Sequence, residues 1–396
     1  MVATTLVLTL VVAGLASLFM AWAIGAGSSG STPFAPAVGA NAISIMRAGF
    51  LVGILGLLGA ILQGANVTEA VGEELIIGEP LSATAAILAL LIAATLVAVG
   101  IFTGYPIATA FTVTGAVVGV GLAMGGDPAW GKYQQIAALW IATPFLGGGI
   151  AYATARLLRA ESIPTRVTVP LLGGLVGLIL ASVQFVFFAP GETQASLSQA
   201  AVQEFGGGIA TYAAVSVLAA AVGAGILWRQ TVADPESAQR RFLLFLGGLV
   251  AFSAGGSQVG LALGPLLPLL GGFEFPLIAV LLFGGFGLLV GSWTGAPRMI
   301  KAISQDYSAL GPSRSIAALI PSFAIAQTAV FFGIPVSFNE IIVSAIIGSG
   351  YAASGGEDGG EVSAAKMGYT ILAWVLSLAG ALTVSFVGFS LVDGLL

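Results

Sequence analysis

Two short stretches carry polar side chains directly after a proline in otherwise apolar sequence. Pro106 is followed by Ala108, Thr109, Ala110, Phe111 and Thr112, and Pro335 by Ser337, Phe338, Asn339 and Glu340. Proline fits the first position of a helix, where no N–H donor is needed, so each stretch reads as a helix start. The leading amides of a helix lack intrahelical acceptors and favour an anion, and nearby hydroxyls add donors. Thr109, Thr112, Ser337 and Asn339 are therefore candidates for binding an oxyanion, with a plain proline-kinked turn as the other reading. Glu340 stands out because acids inside long apolar segments are costly and usually functional. It could take up or relay a proton, hold a cation, or be a neutralised structural acid.

Two further stretches are rich in Gly and Ser: Gly25 to Pro33, containing Ser28, Ser29 and Thr32, and Ser253 to Gln258, containing Ser257. Such composition makes a poor continuous helix, so both read as breaks offering hydroxyls and free amides. Unpaired backbone survives in hydrocarbon only where protein or a watery cavity satisfies it. Close Gly/Ser helix packing is the alternative for each.

The elements that must hold these residues are membrane helices. Of 396 residues, 58% are apolar and 7% charged, with a mean hydropathy of +1.05. Soluble proteins carry about 25% charged residues, and so few charges could not cover a soluble surface. A span needs about 20 mostly apolar residues. Segments 2–24, 43–62, 82–103, 106–124, 134–158, 168–189, 207–228, 242–262, 275–293, 316–333, 335–350 and 366–390 qualify, about twelve in all. The sequence thus predicts an all-α, multi-pass protein of the cell membrane. The shorter segments 106–124 and 335–350 have the look of broken or re-entrant helices. The first run lacks a basic leader and reads as a retained helix.

Basic residues orient the spans. Arg156, Arg159 and Arg166 flank one loop, Arg229, Arg240 and Arg241 a second, and Arg298, Lys301 and Arg314 a third. The positive-inside rule puts all three in the cytoplasm. Counting back places the acidic loop 64–81, with Glu69, Glu73, Glu74 and Glu79, outside, together with both termini and the region of Glu204 and Glu274. Arg47, at a span start, reads as an interfacial anchor. Gln63, Asn66 and Thr68 could line a polar path, and Gln184 and Gln327 suit interhelical hydrogen bonds.

An internal repeat links the two halves. Pro36 and Pro106 are 70 residues apart, as are Pro265 and Pro335, and Gly119 and Gly121 match Gly348 and Gly350 at the same offset of 229 (348 − 119). The offset maps the outer loop 66–80 onto the basic inner loop 295–309, so the copies have opposite orientation. Within a single domain, 1–396, the expectation is a first inverted repeat at 13–124, intervening helices at 134–228, a second repeat at 242–351 and a final helix at 366–390. Inverted repeats of this kind are common in secondary transporters.

Other classes fall away. There is no Cys and no His, which removes disulfides, thiolate nucleophiles, imidazole bases and the softer metal sites. With no paired acids, P-loop or soluble domain, neither an enzyme nor an ATP-driven pump is expected. The twelve Lys and Arg are too thinly spread for a nucleic-acid surface.

With these motifs in place, the chain resembles the inorganic phosphate transporter family, the PiT-type symporters, over nearly its whole length. Gly25–Gly39 and Gly255–Pro265 are similar to the family signature G-[AS]-N-D-x-x-N-A-[FI]-G-P. Gly64–Gly72 looks like the segment after the first core span, and Pro106–Phe111 and Pro335–Glu340 look like two copies of P-[IV]-S-T-T-H. The resemblance implies proton- or sodium-coupled symport of inorganic phosphate or a related oxyanion. It places the cation at the Asn/Asp motifs and the phosphate at the Ser-Thr-Thr motifs. Here the Asn, Asp and later Asn positions hold Ser28, Ser29 and Thr32 in one copy and Ser257, Gln258 and Leu261 in the other. Of the Ser-Thr-Thr residues, only Thr109 and Ser337 remain. The resemblance therefore assigns Ser28, Ser29, Thr32, Ser257 and Gln258 to cation coupling, without the family's carboxylates, and proton coupling through Glu340 is one way to make good their loss. No cofactor and no metal site are implied, the lipid bilayer is the chain's medium, and a homodimer is compatible with such a chain. A transporter of another solute and a non-transporting scaffold are the competing readings.

Overall fold

The structure is a computed structural model that describes residues 2–78, 80–188, 194–271, 275–352 and 363–394. Glu79 and Glu274 lie outside them.

Seventeen helices form among the described residues. The first half contains α1 (Val2–Gly27), α2 (Ala35–Gly39), α3 (Ile45–Gln63), α4 (Ala65–Glu73), α5 (Ala83–Thr103), α6 (Thr109–Ala123) and α7 (Trp130–Leu158). Then come α8 (Thr165–Ser182), α9 (Leu197–Phe205) and α10 (Ile209–Ala233). The second half contains α11 (Pro235–Leu263), α12 (Leu267–Leu270), α13 (Leu277–Thr294), α14 (Ala296–Asp306), α15 (Pro312–Phe331), α16 (Phe338–Tyr351) and α17 (Ala364–Asp393). Two tiny antiparallel pairs join loops: β1 (Ile76–Ile77) with β2 (Asp127–Pro128), and β3 (Gln184–Phe185) with β4 (Ala195–Ser196).

Among the described residues, ten helices are long and apolar enough to cross a membrane: α1, α3, α5, α7, α8, α10, α11, α13, α15 and α17. The other two expected segments, 106–124 and 335–350, contain the shorter helices α6 and α16 of 15 and 14 residues. Their length goes instead into non-helical leads, residues 105–108 and 334–337. Each lead follows a glycine in the left-handed region, Gly104 at φ +78° and Gly333 at φ +57°. Only glycine takes that conformation without strain, so α5 and α15 can stop there and turn the chain inward.

One expected break is absent. Ser253 to Gln258 lies within the continuous helix α11. Its glycines serve close packing: a Cβ on Gly255 would stand 1.9 Å from the Gly56 carbonyl oxygen, and one on Gly256 would stand 2.7 Å from the Gln63 side chain. The first Gly/Ser stretch does break, since α1 ends at Gly27 and turns carry the chain to α2.

Packing is symmetric. α1 packs on α13 and α11 on α3, α5 packs on α1 and α15 on α11, and α6 packs on α17 and α16 on α7. These partners correspond across the offset of 229 residues, a pattern suggestive of internal repeats. α7 follows α6 in the chain yet packs on α16, while α17 follows α16 and packs on α6. Matching glycines let the backbones meet: a Cβ on Gly119 would lie 2.4 Å from the Leu382 carbonyl oxygen, and one on Gly348 would lie 2.0 Å from that of Gly148. A Gly348→Ala substitution is therefore expected to destabilise the protein by about 1–3 kcal/mol, the usual cost of overpacking. Thermal unfolding in detergent measures this; an unchanged midpoint would contradict the tight crossing.

α6 and α16 start together and end apart. Past the end of α6, Gly126 lies against Ile76 of β1, near the Lys132–Glu74 ion pair at the start of α7 (2.6 Å). Just past α16, Ala352 packs with Ala155 and Ala317 near the far end of α7.

Candidate substrate and coupling site

The site is built where the two helix starts meet. Ala108 and Ser337 precede α6 and α16 in extended backbone, and neither start has a side-chain cap. The first helical bonds are Thr112 N–H to the Ala108 carbonyl (3.1 Å) and Ile341 N–H to the Ser337 carbonyl (3.0 Å). The amides of Thr109, Ala110 and Phe111, and of Phe338, Asn339 and Glu340, come before them without helical acceptors.

Each lead is held by an indole from the helix packed beside it. Trp374 Nε1 donates to the Pro106 carbonyl at 2.7 Å, and Trp140 Nε1 donates to the Pro335 carbonyl at 2.8 Å. The Trp140 ring also stacks on Phe111 with centroids 3.8 Å apart. Sequence reasoning missed both tryptophans, although the signal was available: each is a rare indole in the middle of an apolar span that follows one of the proline motifs. Trp140→Phe keeps the stack and leaves a buried carbonyl unpaired, a loss of about 1–3 kcal/mol. Thermal unfolding of the purified variant tests this, and an unaltered midpoint would show that the indole bond is dispensable.

Side-chain amides tie the leads to the rest of the site. Asn339 Nδ2 donates to the Gly27 carbonyl (3.0 Å) and the Ile107 carbonyl (2.7 Å), joining α16 to the end of α1 and the lead of α6. Gln258 Nε2 donates to the Val336 carbonyl at 2.6 Å. Thr109 Oγ1 lies 3.2 Å from Gln258 Oε1 and 3.3 Å from Ser28 Oγ. The structure thus brings Thr109, Ser28, Gln258 and Asn339 into one network, with Ser257 and Ser337 beside its members in sequence. All six are buried. Asn339→Leu removes two hydrogen bonds at once, for an expected loss of about 2–6 kcal/mol if each stranded carbonyl costs the usual amount. Thermal unfolding checks it.

Four buried oxygens here have no hydrogen-bond partner: Ser257 Oγ, Ser337 Oγ, Asn339 Oδ1 and Glu340 Oε2. Buried polar atoms without partners are uncommon and point to water or a ligand. Three other predicted residues are bonded locally. Ser29 Oγ donates to the Ile24 carbonyl (3.4 Å), Thr32 Oγ1 to the Ser28 carbonyl (3.0 Å) and Thr112 Oγ1 to the Ala108 carbonyl (2.9 Å).

A second polar group lies apart from this network. Gln63 Nε2 donates to the Gln184 carbonyl (2.7 Å) and to Gln327 Oε1 (3.2 Å), while Gln327 Nε2 donates to Ser253 Oγ (2.6 Å). These groups satisfy one another and hold α3, α11 and α15 together. Asn66 Nδ2 donates to the Val330 carbonyl (3.3 Å) and Thr68 Oγ1 to the Gly64 carbonyl (2.6 Å). Arg47 is exposed.

A sodium ion would meet unpartnered oxygens of Ser257, Ser337, Asn339 and Glu340, with no carboxylate at either Asn/Asp motif. A hard cation needs several oxygens, usually with compensating negative charge. The carbonyls of Gly27, Ile107 and Val336 each accept one amide N–H, which leaves each a second lone pair, and the carboxyl group at the site is that of Glu340.

Residues 24–385 match the phosphate transporter family. The chain belongs to that family. It is 25% identical to inorganic phosphate transporter 2-1 of the Arabidopsis thaliana chloroplast, over 84% of this chain and 64% of that longer protein. A protein of Thermococcus kodakarensis named as a phosphate permease is 26% identical over 84% of this chain and 86% of its own length, and one of Pyrococcus furiosus is 27% identical over 84% and 85%. Among solved structures, one described as the sodium-dependent phosphate transporter matches with a TM-score of 0.78. It is 22% identical and covers 98% of this chain and all of that one, which makes the fold common to both. Membership in this family makes the chain a membrane transport protein, as the paired proline-led helix starts and the motif resemblance led one to expect.

Proposed function

We propose that this phosphate transporter family member moves inorganic phosphate across the cell membrane by alternating access, with a proton as the coupling ion. The observation that carries the reading is the meeting of two helix starts around buried, unpartnered hydroxyl, amide and carboxyl oxygens. Phosphate sits between the leading amides of α6 and α16, with Thr109, Ser337 and Asn339 as side-chain partners and Thr112 one turn further in. Glu340 carries the coupling proton. An ionised Glu340 next to phosphate would repel it, so the proton and the phosphate bind together. Ser28, Ser29, Thr32, Ser257 and Gln258 frame the site, and none of them brings the negative charge that would favour sodium over a proton on Glu340.

The moving parts are two repeats of opposite orientation, 13–124 and 242–351. The symmetric packing supports extending them to α7 and α17, with α8, α9 and α10 between. The orientation has both termini outside. It is supported by the gathering of Arg159 with Arg314 around one surface pocket and of Arg298, Lys301 and Lys366 around another. Labelled phosphate uptake into proteoliposomes, with and without proton and sodium gradients, tests the reading; no uptake under any condition sinks it. A different oxyanion is the second reading, favoured by the loss of all but Thr109 and Ser337 from the Ser-Thr-Thr residues. Competition by sulfate and arsenate distinguishes the two.

A further inference from the structure

The two halves differ along one stripe. Ser337, just before α16, and Glu340 and Ser344 on it are spaced i, i+3 and i+7, and the two on the helix, four residues apart, share one face. All three are at most 3% exposed, and each has an oxygen without a hydrogen-bond partner. The counterparts on α6, 229 residues earlier, are Ala108, Phe111 and Gly115 (337 − 108, 340 − 111, 344 − 115). None is polar, and the counterpart of Glu340 is the phenyl ring stacked on Trp140. One half-helix therefore has a polar stripe where its partner has an apolar one.

The stripe leads away from the site towards the end of α16, which borders Ala155 and Ala317 and so the basic end of the molecule. Glu340 and Ser344, one turn apart, have Cβ atoms about 6 Å from each other, a gap that a single water spans. Orphan oxygens on both sides would supply that water with partners. The helices packed most extensively on α16 are α7 and α15. Their ionisable side chains are Lys132, Tyr133, Tyr152 and Arg156 on α7 and Arg314 on α15. Trp140 lies at Pro335 and Gly147 near the Ile341 carbonyl, so the part of α7 beside Glu340 is 141–146, which has no ionisable group. α1, which meets Asn339 through Gly27, has none either.

We propose that Glu340 releases its proton to the inner side through a water held by Ser344, along this face of α16 and in this half alone. The inference rests on the reading of Glu340 as the proton carrier. The Glu340 O–H passes its proton to the water, the water passes one on towards the inner end, and a carboxylate remains until it takes a proton from the outer side. Ser344 is thus a positioning residue.

Net phosphate uptake driven by a pH gradient requires that release. Phosphate–phosphate exchange at equal pH does not, because Glu340 can stay protonated throughout. Ser344→Ala is expected to slow gradient-driven uptake about tenfold, less than the hundredfold or more that a positioned acid–base group contributes directly, while exchange and the half-saturating phosphate concentration change less than about twofold. Ser344→Thr, which restores a hydroxyl, should restore the rate. Ser349→Ala is the control, because Ser349 Oγ already donates to the Ile346 carbonyl at 2.9 Å. Equal loss of exchange and net uptake in Ser344→Ala would mean a structural role and overturn the proposal, as would a gradient-driven rate within about twofold of the parent. Failure of the unmodified protein to transport phosphate would instead overturn the reading beneath it.

Discussion

Glu340→Gln is expected to abolish the pH-driven part of phosphate uptake. The variant should transport at one rate whether or not the outer solution is acid, whereas the parent protein speeds up with outer acidity. The loss in the gradient-driven component should reach about a hundredfold, as for removal of an essential acid–base group. Glutamine is nearly isosteric with the protonated acid and equally neutral, so phosphate should still bind and exchange. The side chain sits 2% exposed with Oε2 unpartnered, so the substitution breaks no hydrogen bond of that atom. Initial rates in proteoliposomes across a range of outer pH give the answer. A variant that keeps the full pH dependence removes Glu340 from the mechanism.

Ser337→Ala separates binding from stability. Ser337 Oγ is buried and unpartnered, so its removal strands no partner and should leave the unfolding midpoint in place. If that hydroxyl donates to bound phosphate, its loss should raise the half-saturating concentration about tenfold or more, since a hydrogen bond to a charged group is worth about 1.5–3 kcal/mol. Asn339→Leu should do the reverse in character, lowering stability first because its amide is bonded to two carbonyls. A Ser337→Ala protein with unaltered phosphate dependence would exclude that hydroxyl from the site.

The sequence reveals the spans because a membrane imposes length and apolarity with few exceptions. It reveals the leads at Pro106 and Pro335 because proline and a following polar run have only a few structural solutions. The same logic misled at Ser253–Gln258. Glycine and serine both weaken a helix and let helices approach, and only the presence of Gly56, Gly59 and Gln63 across the interface decides between a break and a crossing. The site's contents were named from spacing, yet their bonds were not legible. That Gln258 reaches the Val336 carbonyl, or Asn339 the carbonyls of both Gly27 and Ile107, depends on contacts 78 to 312 residues apart in the chain. Local bonding of Ser29, Thr32 and Thr112 was hidden for a different reason: a hydroxyl on a helix, or in the turn that follows one, can turn back to nearby backbone.

The crossed packing of α7 on α16 and of α17 on α6 makes neither half self-sufficient. Cut between α7 and α8, the first half would carry Trp140 without the Pro335 carbonyl it bonds, and its own Pro106 carbonyl would have lost Trp374. What completes each fragment is a helix from the other part of the chain, so two pieces made separately would have to meet before either lead regained its indole.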